Sequence, residues 1–540
     1  MLSLEPTDDH AHPAFRDVAS CRKWLGQLQL TNLNLAQASL RNEIEELNRL
    51  AMSGSTRLQI LEALREPVAL MQDDFAKKLV GKMLPLADEE FALLIALVNL
   101  WQAMLHGYLR CLKMASAGDS SVAKPLPLLH QRCLFYARCR LTAFTAAGYA
   151  PDPRSWQQLH ALYAAIEASP LRQEAVCDPY FHDSFPVTCQ TLYLATLLLH
   201  HARLLGLPRS QLHLAEHWLL HWPDTLTLVA SSSLSKGDAP PLVVDLHGQQ
   251  GLRSLAHAQR SDSLRFLPLV PLSKHIRVQT ILLKQGQSPR QLGLGDALTT
   301  QDCIALLDTL HACWCEAHND SLADVPRQTE SVHLCAGLEK SYGQIAQKPF
   351  KPIKDVSKAV RDAQQQIATF GRVLDQTGQH KLEELGFVPE EWQVESNGLI
   401  YGRLLRLHHS GARLAPRQIV TVFVPEGDDG YKAGRVRQLE VTQDGLLYLV
   451  VHYLPGKPQA VIAQAGATEQ PLLQSGSTPA LLLPALDDLH IPVSLILPRG
   501  WFLPGREMEL TAPDRSKRKI ALGISVESGS DYERVSFKPL

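Results

Sequence analysis

The 540-residue sequence lacks an excess of charge of either sign. It has 53 Lys and Arg against 55 Asp and Glu, which gives a formal net charge of -2. A chain with so little net charge has no global field that attracts nucleic acid, so we expect no DNA partner. Its ten cysteines are scattered, with Cys313 and Cys315 the closest pair, and they do not form the dense framework of a disulfide-stabilised secreted protein.

The sequence also lacks the usual signals of secretion and membrane insertion. Its first residues, MLSLEPTDDHAHPAF, include acidic residues and proline where a secretory signal has a basic start and an apolar core. The most apolar run, residues 91–105, falls short of the roughly 20 residues that span a bilayer, and it contains Asn99 and Gln102. We therefore expect a soluble cytoplasmic protein without a membrane span.

Catalytic motifs are scarce. The sequence has neither a phosphate-binding P-loop nor a Gly-x-Ser-x-Gly nucleophile elbow. Its sharpest local motif, from His213 through Glu216 to His217, matches the H-x-x-E-H pattern in which two imidazoles bind zinc and a glutamate polarises water. A five-residue match is common by chance in a chain with 22 histidines, and an amphipathic helix explains it. A zinc hydrolase is therefore a third alternative, and we expect no enzyme, no metal and no cofactor.

A chain of this length exceeds one hydrophobic core and indicates two to four domains. Up to about residue 230, leucine and alanine recur at helical spacing between breaks at glycine and proline, which predicts an all-α bundle or solenoid. The pattern predicts one helix over residues 15–50. Within it, Leu33, Leu40 and Leu47 lie one heptad apart, so a homo-oligomer through a coiled coil stays open, although the short repeat favours packing within the chain.

Residues 386–454 have the opposite texture. Short runs that alternate apolar and polar residues are separated by turns such as Asn397-Gly398 and Asp444-Gly445, which predicts an antiparallel β-barrel or sandwich. The fold class we predict is α+β multidomain, an all-α region followed by a β-barrel and a small extra β unit. The predicted domains are a helical interaction domain (1–230), an α/β junction (231–324), a barrel (325–462) with a polar insertion (339–385), and a C-terminal β unit (463–540).

Arginines recur along the predicted barrel, at Arg327, Arg403, Arg406, Arg413, Arg435 and Arg437. Guanidinium groups bind phosphates through paired hydrogen bonds and stack on purine faces, which suits an anionic nucleotide. A solvated strand face explains the same spacing, and spacing alone favours that explanation.

A family resemblance is carried by Leu264–Leu294, by PRQTESVHLCAGL from Pro326, by WQVESNGLIYGRLL from Trp392, and by the pair AGRVRQLEV and LPGKPQAVIA that begins at Ala433. From about residue 224 onward the chain resembles bacterial proteins with a PilZ-type barrel behind a long helical region. PilZ domains are receptors for cyclic di-GMP, with R-x-x-x-R before the first strand and D/N-x-S-x-x-G where the second begins. Here Arg327 and Ser331 stand at the two arginine positions. Ser396 matches the serine, Val394 stands at the first position, and Gly398 comes one residue early.

The resemblance implies a cyclic di-GMP receptor or adaptor that couples nucleotide binding to protein-protein interaction. It implies the ligand-binding residues Arg327, Glu395, Ser396, Asn397, Gly398, Arg403 and Arg435. The partners that we expect are cyclic di-GMP and a protein that binds the helical domain. The alternative is a structural or interaction protein whose PilZ-like barrel binds no nucleotide, and an exposed apolar patch on the helical region would support that alternative.

Overall fold

The chain forms two compact units, each with its own core. The first comprises Met1–Lys82 and Leu86–Val325, and the second comprises Met83–Pro85 and Pro326–Leu540. The computed structural model describes residues 4, 6–8, 10–29, 31–179, 185–202, 207–231, 240–316, 330–352, 387–424, 430–466 and 476–540.

Helices dominate the first unit, and their ends follow from the sequence. Asn32 caps the second helix by accepting the backbone N–H of Leu35, and Gly26 ends the first, so the single helix predicted over residues 15–50 is two helices. The elements up to residue 221 are α1 (Val18–Leu25), α2 (Leu33–Arg49), α3 (Gly54–Lys77), α4 (Asp88–Ser116), α5 (Leu126–Ala146), α6 (Pro153–Glu167), β1 (Ala175–Cys177), β2 (Pro186–Thr188), α7 (Cys189–Ala202) and α8 (Arg209–His221).

The apolar run noted in the sequence lies in α4. By length and composition alone this helix could cross a membrane, yet 56% of its most apolar window is buried inside the protein. Leu94, Leu100, Met104 and Tyr108 are each fully buried, and α4 packs on α3 and α5. Core helices of soluble proteins share this composition, so α4 is weak evidence for a membrane span.

Residues 240–316 complete the first unit. They form a three-stranded antiparallel sheet of β3 (Leu242–Asp245), β4 (Arg253–Ser254) and β5 (Leu264–Leu267), followed by α9 (Val270–Lys284) and α10 (Thr300–Cys315). The indole of Trp314 on α10 donates to the carbonyl of Leu198 on α7 at 3.0 Å. The indole of Trp218 on α8 donates to Leu294 at 3.1 Å. These hydrogen bonds between buried groups join the segment predicted as a junction to the helical core.

The second unit begins with a closed antiparallel barrel, as the alternating pattern predicted. Val332, Val394, Leu404 and Val436 are buried and fill its interior, and Val332 and Val436 alternate with more exposed neighbours. The strands follow the order β10-β11-β8-β7-β6-β9 around the barrel. Its elements are β6 (Ser331–Ala336), α11 (Leu338–Ala346), β7 (Glu390–Asn397), β8 (Tyr401–Leu407), β9 (Ile419–Phe423), β10 (Tyr431–Val441) and β11 (Leu446–Tyr453). Of the predicted insertion 339–385, residues 353–385 lie outside the described residues.

The C-terminal segment forms a second closed six-stranded barrel, more than the small β unit that its short strands predicted. Its strands follow the order β12-β13-β14-β17-β16-β15. Val461, Leu495, Leu510 and Val535 belong to its apolar core. The strands are β12 (Gln459–Ala465), β13 (Ser477–Leu483), β14 (Ser494–Pro498), β15 (Glu507–Thr511), β16 (Lys517–Ser528) and β17 (Tyr532–Pro539).

The two barrels pack directly on each other within the second unit. A separate cluster of buried side chains joins Ile419 and Ala433 of the first barrel to Leu481, Ile496 and Tyr532 of the second. Apolar contact between two sheets excludes water and fixes their relative position. This contact between the barrels covers part of the outer surface of the first barrel and leaves the rest accessible.

Candidate functional site

The β7–β8 hairpin holds the residues that match the predicted Ser-x-Gly turn. The backbone N–H of Gly398 donates to the carbonyl of Tyr401 at 2.9 Å and closes the turn. The register places Ser396 directly opposite Arg403 and Asn397 opposite Gly402. Cross-strand partners lie on the same face of a sheet, so Ser396 and Arg403 are brought together.

Strand alternation assigns Arg403 to the outer face of the barrel. On β8 the neighbouring Leu404 pairs with Leu449 of β11, and both are buried in the interior. Arg403 and Tyr401 therefore point to the opposite, outer face, where Tyr401 pairs with His452 of β11. Their side chains are partly exposed.

Two further arginines join this face from β10. Arg435 pairs with His452, so Arg435, His452 and Tyr401 form a row across three adjacent strands. The guanidinium carbon of Arg437 lies 4.8 Å from the centroid of the Tyr401 ring, and the rings of Tyr401 and His452 are 5.0 Å apart. We call the outer surface formed by six residues of these strands the cationic face; they are Ser396, Tyr401, Arg403, Arg435, Arg437 and His452.

The electrostatics of the cationic face are visible at His452. Burial lowers the pKa of His452, and the positive charges of Arg435 and Arg437 lower it further. The imidazole is therefore neutral at pH 7. Its Nδ1 atom is buried without a hydrogen-bond partner among the described residues. The face thus combines guanidinium cations, two adjacent rings and a hydroxyl, which can bind phosphate and stack on a purine.

Arg435 already has a partner in the second barrel. Its guanidinium lies 2.5 Å from a carboxylate oxygen of Glu527 on β16. By contrast, no ion pair forms at Arg403 or Arg437 among the described residues. These two arginines are the cations of the face that an anion reaches without displacing a carboxylate.

Two of the predicted site residues, Glu395 and Asn397, do not point to the cationic face. Glu395 occupies a register shift of β7 and is 2% exposed. The side chain of Asn397 accepts a hydrogen bond from the hydroxyl of the buried Tyr453 at 2.9 Å. This hydroxyl lies against Gly402, where a Cβ atom would overlap it. Arg327 lies outside the described residues. The structure therefore groups Ser396, Arg403 and Arg435 and turns the Asn397 side chain to the interior.

Sequence reasoning did not select Tyr401, Arg437 or His452 as site residues. Tyr401 and Arg403 are separated by one residue on a strand, which places both on one face and was a readable signal. The pairing of β10 with β11 was not readable, because a register shift between Val436 and Gln438 moves Arg437 relative to the alternating pattern.

The H-x-x-E-H motif lies on α8, where its side chains have structural partners. Glu216 forms an ion pair with Arg138 of α5. The ring of His217 contacts that of His221 in a tilted arrangement with centroids 3.9 Å apart, and His213 accepts from Arg209 at 3.2 Å. Across the part of the chain that the structure describes, no group of three His, Cys, Asp or Glu residues is placed to hold a metal ion.

Comparison with known proteins gives two family matches. A family described as "Cyclic-di-GMP receptor FimW, N-terminal domain" matches residues 19–232, and "FimW C-terminal beta-barrel domain" matches residues 465–540. The second match coincides with most of the second barrel, and the cationic face lies between the two matched segments.

A relative extends the similarity over the whole sequence. The chain is 22% identical to the cyclic-di-GMP receptor FimW of Pseudomonas aeruginosa, over an alignment that covers 100% of this chain and 94% of the relative. The N-terminal family and the relative are described as receptors, which confirms the prediction of a protein that is not an enzyme. The two domain models together match more than half of the residues, so the chain is similar to FimW proteins in both its N-terminal domain and its C-terminal β-barrel domain.

Proposed function

We propose that this chain is a cyclic di-GMP receptor and that the cationic face of its first, PilZ-like barrel binds the nucleotide. The observation that carries the proposal is the placement of Ser396 opposite Arg403, beside the Arg437–Tyr401 stack, on one outer face. The similarity to a protein described as a cyclic di-GMP receptor supports the same ligand.

The chemistry of the ligand suits this face. Cyclic di-GMP carries two phosphodiester anions and two guanine rings. Arg403 and Arg437 provide guanidinium donors for a phosphate, and the Ser396 hydroxyl adds a further donor beside Arg403. The Tyr401 ring and the guanidinium plane of Arg437 offer stacking surfaces to guanine.

The proposal extends to the domains as the sequence divided them. Residues 1–230 are the helical interaction domain, 231–324 its α/β junction and 325–462 the nucleotide-binding barrel, while the C-terminal β unit predicted at 463–540 is the second barrel, whose first strand begins at Gln459. A partner protein meets the helical domain, and nucleotide binding changes that interaction. Such coupling requires that cyclic di-GMP bind one arrangement of the protein more tightly than another.

Isothermal titration calorimetry of the full-length chain with cyclic di-GMP tests the proposal, with GTP as a control nucleotide. Arg403→Gln removes one charged donor, so we expect affinity to fall by about tenfold or more, equivalent to roughly 1.5–3 kcal/mol. The matched control is Arg518→Gln, which removes an exposed arginine from β16 of the second barrel and leaves affinity unchanged. No heat from cyclic di-GMP at high micromolar concentration would refute the proposal.

One observation favours the alternative of a barrel that binds no nucleotide. Val270, Val278 and Ile281 on α9 are 44%, 44% and 52% exposed, and such apolar side chains suit a protein contact. This alternative predicts no heat with any nucleotide, together with a stable partner whose binding Val278→Ser or Ile281→Ser weakens.

A further inference from the structure

The cationic face touches the second barrel at one ion pair. Arg435 on β10 lies 2.5 Å from Oε1 of Glu527 on β16, with side chains that are 33% and 17% exposed. The same oxygen accepts a hydrogen bond from the Tyr532 hydroxyl at 2.7 Å. Arg435 therefore belongs both to the row with His452 and Tyr401 and to the contact between the barrels.

The contact between the barrels does not depend on this ion pair. The backbone N–H of Ile419 donates to Asp531 at 2.9 Å, and the Arg417 guanidinium donates to the carbonyl of Ser528. The buried cluster around Ile419 and Tyr532 adds apolar contact on the same side. Because none of these contacts involves the Arg435 or Glu527 side chain, the ion pair can exchange partners while the barrels stay joined.

A carboxylate and a phosphate compete for the same donors of a guanidinium group. We infer that Glu527 is an affinity-setting residue which holds Arg435 in the unliganded protein, and that an anionic nucleotide on the cationic face binds by taking Arg435 from it. This inference rests on the proposed function. It makes the second barrel a regulator of the first, because any partner that draws Glu527 away from Arg435 strengthens nucleotide binding by the same factor that the nucleotide strengthens that partner.

Removal of the competing charge is the direct test. In Glu527→Gln the amide keeps an acceptor for Tyr532 but no longer pairs with Arg435 as a charge, so we expect cyclic di-GMP to bind roughly three- to tenfold more tightly by calorimetry. Arg435→Gln weakens binding. In the double variant Glu527→Gln no longer improves affinity, because its effect passes through Arg435.

Asp531→Asn is the matched control. It removes a neighbouring carboxylate at the same junction, one that bonds a backbone N–H and not an arginine. We expect no gain in affinity from it, and a similar gain in both variants would show that Glu527 acts by general charge or by loosening the junction, which overturns the inference. Thermal unfolding of both variants verifies that they fold.

The outcomes separate this inference from the proposed function. Wild-type binding with an unchanged affinity in Glu527→Gln overturns the inference and leaves the receptor intact. If cyclic di-GMP does not bind the wild type, the proposed function fails, and inorganic pyrophosphate serves as the second probe. Tighter pyrophosphate binding by Glu527→Gln, lost in the double variant, then upholds the competition for another anion, and its absence overturns the inference as well.

Discussion

The first unit, called here the helical unit, buries several of its charged side chains, whereas the second unit, the barrel unit, exposes several of its own. In the helical unit, Asp178 is fully buried and accepts from Arg65 at 2.8 Å and Arg132 at 2.6 Å. Arg132 also binds Glu62 through two hydrogen bonds of 3.0 and 3.1 Å, and the Tyr108 hydroxyl donates to Glu62 at 2.6 Å. Arg65, Arg132 and Asp178 are buried with their partners, and Glu62 lies at the partly exposed edge of the network.

The barrel unit presents its arginines on an outer strand face. Arg403 and Arg437 pair with no carboxylate among the described residues, and Arg435 shares its charge with Glu527 at a contact that water reaches. A buried ion pair cannot exchange its partner for a ligand without a large desolvation cost, whereas a partly exposed one can. This difference in burial agrees with a stabilising role for the buried charges of the helical unit and with the binding role that we propose for those of the first barrel.

The largest effect should follow from breaking the buried network. Asp178→Asn leaves Arg65 and Arg132 without their shared carboxylate, and loss of one partner from a buried pair costs about 3–5 kcal/mol. Hydrogen exchange at increasing urea concentration, followed in peptides of α3 and α5, measures the decrease in the free energy of unfolding. We expect nucleotide affinity to stay unchanged. As a control, Glu509→Gln breaks the exposed pair with Lys517 and should cost less than about 1 kcal/mol.

A second effect should appear as acid sensitivity of the helical unit. Burial lowers the pKa of His160 to about 4, although a hydrogen bond to Gln250 and the charge of Asp245 oppose it. Between pH 6.5 and 4 the imidazole of His160 binds a proton in the unfolded chain but not in the folded protein. The free energy of unfolding is therefore unaffected by His160 above pH 6.5 and decreases as pH falls toward 4. The total loss is about 3 kcal/mol.

Denaturation at a series of pH values compares the wild type with His160→Gln. The amide keeps a donor for Gln250 and an acceptor for Tyr193, whose bonds to the imidazole are 2.8 and 2.7 Å, but it has no proton to gain. We expect the variant to lose less stability between pH 6.5 and 4. Parallel curves for the two proteins would show that His160 is not a source of the acid sensitivity.

Much of the fold was predictable because its signals are local. The 3.6-residue spacing predicted the helical region and the alternating runs predicted the first barrel, since each pattern follows from the geometry of one element. The closure of residues 459–539 into a second barrel was not predictable, because it depends on pairing β12 with β15 across nearly fifty residues. Gly26 and Asn32 are typical helix-capping residues and indicated a break between two helices. The leucine spacing on both sides nevertheless led to the prediction of one continuous helix.

The candidate site was predictable to a smaller extent. Ser396 and Arg403 could be proposed from the motif, and the hairpin does place them opposite each other. The pairing of Arg435 with Glu527 joins residues 92 positions apart on different barrels, and no local pattern contains that contact. The burial of Glu395 was not predictable either. This residue lies at a register shift between β7 and β8, where the direction of a side chain depends on the partner strand.

The smallest effect concerns the aromatic part of the cationic face. Tyr401 lies beneath Arg437 and beside His452, and an exposed cation–π contact contributes about 0.5–1 kcal/mol. Tyr401→Leu keeps an apolar side chain on β8 but removes the ring, so calorimetry should show cyclic di-GMP affinity reduced roughly two- to fivefold. Tyr401→Phe keeps the ring and should bind as the wild type does. Equal losses in both variants would assign the effect to the hydroxyl and not to stacking. If both variants bind as tightly as the wild type, the nucleotide contacts the arginines and not the ring. The contrast between the two units would then concern charged groups only.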